Sequence, residues 1–168
     1  NSFTPTDPEL KSLLEFVTRL WNESDGLFDP TVGVLNNVWD FRTGHPKSVE
    51  KLEAMREKVG WDMVEISDSG IHLPQIGMQI DFGGLVKEYA ADNIARLFRD
   101  NGVNSAMIEL AGDVVAVGSQ ANGEPWRVGI TNPLNTSETL FSLRLTNAAI
   151  CSSGNYARRF ELKGKPMS

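Results

Sequence analysis

The sequence predicts an α+β fold in which helices pack on a largely antiparallel sheet. Helical periodicity dominates the first part of the chain, and short strand-like runs separated by turn clusters follow residue 105. Helices that precede a run of strands are typical of α+β proteins, whereas a parallel sheet requires the two to alternate. The chain has 168 residues, of which 40% are hydrophobic and 23% charged, so we expect a single domain over residues 1–168.

The charge balance and the cysteine count argue against several classes of function. A net charge of −6 argues against nucleic acid as a partner, because phosphate binding requires clustered Lys and Arg. No stretch approaches the roughly 20 apolar residues that cross a bilayer. The single cysteine, Cys151, cannot form an internal disulfide, and we expect it to be a buried small residue. His45 and His72 lack the spacing of a metal site.

Two helices are expected before the middle of the chain. The first spans Pro5–Trp21, because Asp7 is suited to cap it, Pro8 fits the first helical position, and leucine and valine recur at helical spacing. The second spans Ser48–Val59, where a serine cap begins the helix and Gly60 ends it.

The segment Gly26–Phe41 lies between these helices and fits neither the helical nor the strand period. Large aromatic side chains favour burial, so the segment is not expected to be a mere surface loop. Two interpretations remain open. Phe28, Trp39 and Phe41 pin a loop to the core, or Trp39 and Phe41 form the wall of a pocket that packs a flat ring.

The segment Met78–Asp92 is the most informative in the chain. An apolar run reaches Asp81, two glycines follow at Gly83 and Gly84, and helical periodicity then begins. This order predicts a strand, a tight turn and a helix N-terminus, which suits an anion such as a phosphate because backbone N–H groups and the helix dipole meet there. Lys87 adds a positive charge one turn into the helix.

The remaining elements follow from apolar runs bounded by turn residues. A small hairpin is expected from the runs Met63–Ile66 and Ile71–Leu73, and a helix from Leu85 to Asn101. The expected strands of the last third are Ala106–Leu110, Val114–Val117, Trp126–Ile130, Phe141–Leu145, Ala149–Ser152 and Arg159–Leu162.

Four glycine-marked segments, taken in order and spacing, resemble the ApbE family, the FAD:protein FMN transferases. The family patterns are GxFDxTVGPL followed by W.F, D.GG..KGYA.D, a Gly-Asp block followed by W.V.I..P, and TSG.Y. The matching segments here are Gly26–Leu35 with Trp39 and Phe41, Asp81–Asp92, Gly112-Asp113 with Trp126–Pro133, and Ser152–Tyr156. Together they cover nearly the whole chain from about Ser24 onwards.

The resemblance implies an ApbE-like fold and an enzyme that uses FAD and Mg²⁺. Such an enzyme moves FMN from FAD onto a Thr or Ser hydroxyl of an acceptor protein and releases AMP. Carried over by position, the resemblance assigns a catalytic and FAD-contacting role to Lys87, a backbone carbonyl ligand of Mg²⁺ to Gly84, and FAD contacts to Trp39, Asp40, Phe41, Asp81, Asp113 and Ser153. Structural alternatives are a turn former at Asp113 and a strand-end cap at Ser153.

Three positions depart from the family patterns, and the patterns extend beyond this sequence. Val34 replaces a proline, Glu88 stands where a glycine is frequent, and Ser152 replaces a threonine. Because further family blocks are not present, we expect the domain to be incomplete at both ends. Two other functions remain open, namely a Mg²⁺-dependent FAD pyrophosphatase and a non-enzymatic FAD-binding domain.

The resemblance also implies a location and a class of partner. Family acceptors are flavoprotein subunits of membrane electron-transfer complexes. The full-length protein is accordingly expected in the periplasm, as a lipoprotein anchored to the inner membrane.

Overall fold

The computed structural model describes residues 2–40 and 43–153, together with the backbone of residues 160–162 and 165–167. The chain forms two compact units, Asn1–Phe82 with Phe160–Leu162 and Gly83–Arg159 with Lys163–Ser168. Both units contain helices, and the strand pairs described within them are antiparallel. The predicted α+β class with antiparallel pairing is therefore confirmed, whereas the single domain stays a prediction. Within the described residues, no helix has the length and apolar character needed to cross a bilayer.

The first unit begins with helix α1 (Pro8–Glu23), which confirms the first predicted helix. The Oδ1 atom of Asp7 accepts a hydrogen bond from the N–H of Leu10 at 2.7 Å and so caps the helix. Proline follows the cap, where its missing N–H costs nothing. The inward face of α1 buries Leu13, Leu14 and Val17.

The segment after α1 contains a 3₁₀ helix over Pro30–Asn37. A 3₁₀ helix has three residues per turn, which explains why the sequence matched neither the helical nor the strand period. Strand β1 (Trp39–Asp40) follows and pairs with β2 (His45–Pro46). Four residues of the 3₁₀ helix are buried, namely Pro30, Thr31, Gly33 and Val34.

The rest of the first unit consists of short elements. Helix α2 (Val49–Arg56) is capped by the Ser48 side chain, and a second 3₁₀ helix spans Trp61–Met63. Strands β3 (Glu65–Ser67) and β4 (Gly70–His72) form the predicted hairpin with shorter arms.

The second unit is built around a three-stranded antiparallel sheet on which helix α3 packs. Helix α3 spans Val86–Asp100, and the sheet has the order β5 (Ala106–Leu110), β6 (Asp113–Val117) and β9 (Ala149–Ile150). The helix and the sheet share one buried cluster, made of Ala91, Ala95, Ile108, Val115 and Val117. Small alanines on the helix allow its backbone to approach the sheet closely.

Strand β6 is buried along its whole length because both of its faces are covered. Its other face packs on a long hairpin of β7 (Trp126–Asn132) and β8 (Asn135–Leu145). Val114 and Ala116 of β6 meet Leu145 there. A strand covered on both faces has a continuous apolar sequence, which is the pattern of this strand. Strands β10 (Phe160–Leu162) and β11 (Lys165–Met167) complete the element order.

One predicted element is wrong, and the others differ in length. The apolar run that reaches Asp81 is not a strand. Its backbone runs beside the first 3₁₀ helix, which offers no strand edge, and the N–H of Asp81 instead donates to the carbonyl of Pro30 at 2.8 Å. Strands β7 and β8 extend beyond the predicted runs Trp126–Ile130 and Phe141–Leu145, to Asn132 and back to Asn135.

Candidate functional site

The Asp81 carboxylate is exposed and is held by the 3₁₀ helix of the first unit. Its Oδ2 atom accepts a hydrogen bond from the Asn36 amide at 3.0 Å, and its backbone bonds to Pro30. Gly33 makes this approach possible, because a Cβ atom there would lie 2.8 Å from the Cβ of Asp81. The Gly26–Leu35 motif therefore supports Asp81, the acidic residue that the sequence assigned to FAD.

A partly buried polar network fixes the conformation of this 3₁₀ helix. Asp29 caps it, since its Oδ1 atom accepts from the backbone N–H of Thr31 at 2.8 Å and also from the Thr31 hydroxyl. The Thr31 hydroxyl in turn accepts from the N–H of Gly60 at 2.8 Å, and Oδ2 of Asp29 accepts from the N–H of Trp61 at 2.9 Å. The Asp and Thr of the family pattern are thus structural residues in this chain.

Trp39 and Asp40, which the sequence placed along the flavin, form strand β1 and are both half-buried. They pair with Pro46 and His45, respectively. Phe41, the third residue of this predicted group, lies outside the described residues. The choice between a core contact and a pocket wall for this group stays a prediction.

Lys87 and Asp113 form an ion pair in the second unit, in which Nζ of Lys87 donates to Oδ2 of Asp113. Lys87 lies in the first turn of α3, and Asp113 is the first residue of β6. The Asp113 side chain is 4% exposed, whereas that of Lys87 is 41% exposed. The structure therefore brings together two predicted site residues that are distant in sequence.

The electrostatics of the pair favour charged forms of both partners. The hydrogen bond from Lys87 holds the pKa of the Asp113 carboxyl below its usual value of 3.8, and a bond from the Ser152 backbone acts in the same direction. The hydrogen bond to Asp113 raises the pKa of Lys87 above 10.5, although partial desolvation opposes it. Lys87 is therefore a fixed ammonium ion at neutral pH.

Two further titratable side chains, Glu88 and Cys151, lie beside the pair. One ligand-type atom from each of Glu88, Asp113 and Cys151 lies within 4.8 Å of the other two. The prediction that Cys151 is buried is wrong, because it lies exposed just after β9. Desolvation and the nearby carboxylates raise the pKa of its thiol, which is thus a poor metal ligand at neutral pH. Lys87 already occupies the Asp113 carboxylate, so we assign no metal to this cluster.

Gly84 and Ser153 are the remaining predicted site residues, and both are exposed. Gly84 lies in the turn before α3, whose N-terminus has no side-chain cap. Its backbone carbonyl is a hard oxygen donor, which Mg²⁺ accepts alongside water and phosphate oxygens. Gly84 therefore fits a place among the ligands of Mg²⁺, and Ser153 is open to solvent.

Sequence reasoning missed the residues that support these side chains. Asn36, which donates to Asp81, carries no signal in sequence, since an isolated Asn is more often a turn residue. Gly33 had a signal, because a glycine inside an apolar run indicates a close backbone approach. A cleft of about 500 Å³ in the first unit, lined in part by Trp21 and Trp61, contains none of the predicted site residues among its lining.

Comparison with known proteins identifies the family. The family model described as "ApbE family" matches residues 1–168. An FAD:protein FMN transferase of Salmonella typhimurium is 28% identical over 175 residues, covering 98% of this chain and 49% of that protein. One from Chlamydia muridarum is 30% identical over 165 residues, covering 94% of this chain and 49% of the relative. The chain thus spans about half the length of the curated relatives it matches.

Solved structures agree with the sequence relatives. The crystal structure of an ApbE protein from Thermotoga maritima has a TM-score of 0.82 at 29% identity, covering 99% of this chain and 55% of that one. The apo form of the flavinyl transferase ApbE from Pseudomonas stutzeri has a TM-score of 0.80 at 27% identity, covering 99% of this chain and 53% of that one. These matches confirm the ApbE-like α+β fold expected from the sequence. The chain belongs to the ApbE family.

Proposed function

We propose that the protein carrying this chain is an FAD:protein FMN transferase. It transfers the FMN moiety of FAD to a Thr or Ser hydroxyl of an acceptor protein, depends on Mg²⁺, and releases AMP. The observation that carries the proposal is the family match over residues 1–168, since the relatives that share this family are named for that activity. The Lys87–Asp113 pair supplies a chemical reason in this chain's own residues.

The proposed reaction is the attack of an alcohol at phosphorus. The acceptor hydroxyl oxygen forms a bond to the FMN phosphorus of FAD, and the bond from that phosphorus to the bridging oxygen breaks. AMP leaves with the bridging oxygen, and the hydroxyl proton is released to solvent or to AMP. Charge is spread over the phosphoryl oxygens in such transfers, so fixed cations and positioned groups lower the barrier most.

Lys87 is suited to the electrostatic part of this reaction. Its ammonium is held by Asp113 yet the side chain remains partly exposed, so its other N–H groups can donate hydrogen bonds to phosphoryl oxygens. The N-terminus of α3 has no side-chain cap, so its backbone N–H groups, which like Lys87 favour negative charge, can also donate to phosphoryl oxygens. When bound, Mg²⁺ would withdraw charge from the phosphoryl oxygens, and the carbonyl of Gly84 is the ligand proposed from this chain.

The other predicted residues have binding roles in this proposal. Asp81 is proposed to accept hydrogen bonds from FAD, since its carboxylate is exposed and oriented by Asn36. Trp39, Asp40 and Phe41 are proposed to contact the flavin, and Ser153 is proposed as a further FAD contact. Asp113 was expected to contact FAD as well, but its burial favours a supporting role.

The proposal is tested with the full-length protein, FAD, Mg²⁺ and an acceptor protein that carries a suitable threonine. We expect AMP in solution, measured by chromatography, and covalent flavin fluorescence on the acceptor, both lost with EDTA or with an acceptor in which valine replaces the threonine. AMP and free FMN without any acceptor would indicate a pyrophosphatase. FAD that stays intact throughout would indicate a binding domain.

A matched pair of variants tests the role of Lys87. Lys87→Met removes the ammonium and should lower kcat by about 10²- to 10³-fold, the usual effect of losing one group that stabilises charge in the transition state. Lys51→Met removes a lysine from the exposed part of α2 and should leave kcat unchanged. Equal rates for the two variants would contradict the assignment.

The location and the natural acceptor are also proposals. We propose periplasmic action on flavoprotein subunits of membrane electron-transfer complexes, with a lipid anchor in the full-length protein. Cell fractionation of the tagged full-length protein, with and without a block of lipoprotein processing, tests the anchor.

A further inference from the structure

Asp113 and Lys87 differ sharply in their access to a ligand. The Asp113 side chain is 4% exposed, and that of Lys87 is 41% exposed. Asp113 accepts from Lys87 and from the backbone of Ser152, so its carboxylate is used within the protein. A group in this position has little surface to offer to FAD, whereas its partner remains accessible.

The backbone at Asp113 is also firmly placed. Asp113 follows a two-residue hairpin turn, Ala111-Gly112, in which both φ angles are positive, at 52° and 96°. A turn of this type matches the twist of the strands that it joins and sets their register. A non-glycine residue with positive φ is uncommon, so Ala111 carries strain that the surrounding hairpin compensates. The N–H of Gly112 is further fixed by Glu109, at 2.7 Å.

We propose that Asp113 is a positioning residue, which holds the ammonium of Lys87 at one point beside the first turn of α3 and does not itself contact FAD. The inference rests on the proposed function, because the proposed substrate FAD carries the phosphate groups that Lys87 would contact. It also specifies what Lys87 does. An ammonium that is kept charged by a buried carboxylate acts as a fixed cation, not as the base that removes the hydroxyl proton.

Glu88 supplies a control within the same cluster. Its side chain is hydrogen-bonded to Asp113, a contact that a glutamine amide can also make, and its Oε2 atom is buried without a hydrogen-bond partner among the described residues. It adds a negative charge near Lys87 without forming the ion pair. Glu88→Gln therefore removes one charge from the cluster and keeps the Lys87–Asp113 bond. It separates the loss of a nearby charge from the loss of the contact.

The test measures the position and charge of Lys87 directly. The full-length protein is labelled with an amine-reactive anhydride over a range of pH, and mass spectrometry reports the modification of Lys87 relative to Lys51. In the wild type, labelling of Lys87 should rise at higher pH than that of an ordinary lysine side chain, because its pKa is raised. Asp113→Asn should shift the Lys87 curve to lower pH, while Glu88→Gln should shift it much less. Asp113→Glu, which keeps the carboxylate, should restore part of the difference.

Kinetics then distinguish positioning from binding. Asp113→Asn should lower kcat by about 10- to 100-fold, as expected for a misplaced catalytic group, and change KM for FAD far less. An unchanged Lys87 labelling curve in Asp113→Asn would overturn the inference, as would a variant whose main defect is in FAD affinity. Should Asp113→Asn fail to fold, Glu88→Gln decides the question, because a Lys87 labelling curve that falls to that of an ordinary lysine in this variant would assign the raised pKa to Glu88 and overturn the inference. A labelling shift without any transfer activity in the wild type would reject the proposed function and keep the ion pair.

Discussion

The hydroxyl of Thr31 is expected to be one of the most important polar groups in the first unit. Thr31 is fully buried, and its hydroxyl donates to the Asp29 carboxylate and accepts from the N–H of Gly60 at 2.8 Å. Thr31→Val keeps the shape of the side chain and removes both bonds. A buried hydrogen bond to a charged group contributes about 1.5–3 kcal/mol, and an orphaned N–H costs about 1–3 kcal/mol.

The expected loss of stability from Thr31→Val is about 2–4 kcal/mol. The two contributions are not fully additive, and the extra buried methyl group returns about 0.8 kcal/mol. Thr31→Ser is the matched control, because it keeps the hydroxyl and removes only a methyl group, which costs about 1 kcal/mol. Relative to the wild type, Thr31→Val replaces the hydroxyl with a methyl group, whereas Thr31→Ser keeps the hydroxyl and loses the methyl group.

Urea unfolding followed by tryptophan fluorescence measures the difference. Trp61 is 3% exposed, and its backbone N–H donates to Asp29, so its fluorescence reports on this network. We expect Thr31→Val to lower the free energy of unfolding by at least twice the effect of Thr31→Ser. If Thr31→Val is as stable as Thr31→Ser, or more stable, the hydroxyl network does not hold the 3₁₀ helix and the reasoning is refuted.

Three further predictions follow from close contacts and charges. Gly33→Ala should raise the Kd for FAD, measured by fluorescence titration, because its Cβ would lie 2.8 Å from the Cβ of Asp81 and displace that carboxylate. Gly112→Ala should cost about 1–3 kcal/mol in thermal unfolding, because alanine is strained at a φ of 96° although its Cβ has open space. The wild type should exceed Asp113→Asn in free energy of unfolding by the largest amount between pH 3.8 and 10.5, where both members of the ion pair are charged in the folded and unfolded states. This difference should shrink as the pH falls through the lowered pKa of Asp113, and again as the pH rises through the raised pKa of Lys87. If the urea midpoints of the two proteins keep the same separation when the pH falls below the pKa of Asp113, the ion pair does not contribute to stability.

The helices could be predicted because their signals are local. Asp7 and Ser48 begin α1 and α2 as expected, and both side chains accept from the first turn of their helix. Cap chemistry acts within three residues of sequence, so it can be read without knowledge of the fold. The strands around β6 were also predicted, since their apolar runs are bounded by turn residues.

The failures concern contacts with elements that are distant in sequence. The run before Asp81 has a strand composition, but its neighbour is a 3₁₀ helix that accepts one backbone bond and offers no ladder. Cys151 was expected in the core from the average behaviour of cysteine, yet it lies just beyond the short strand β9, where the burial of the sheet ends. Neither outcome depends on local propensity, so neither could be predicted from the sequence alone.

The same arrangement occurs in both units and bears on how the family motifs should be interpreted. In the first unit an exposed carboxylate, Asp81, lies against a 3₁₀ helix that Gly33 and the buried Thr31 keep in place. In the second unit a partly exposed ammonium, Lys87, is held by the buried Asp113. In each case one residue of the motif can meet a ligand and others fix its position. Substitutions at the supporting residues should therefore reduce turnover or affinity through misplacement, and the loss should be accompanied by a change in stability or in the reactivity of the exposed partner. A supporting residue that affects FAD alone, with neither of those changes, would have to contact the ligand itself.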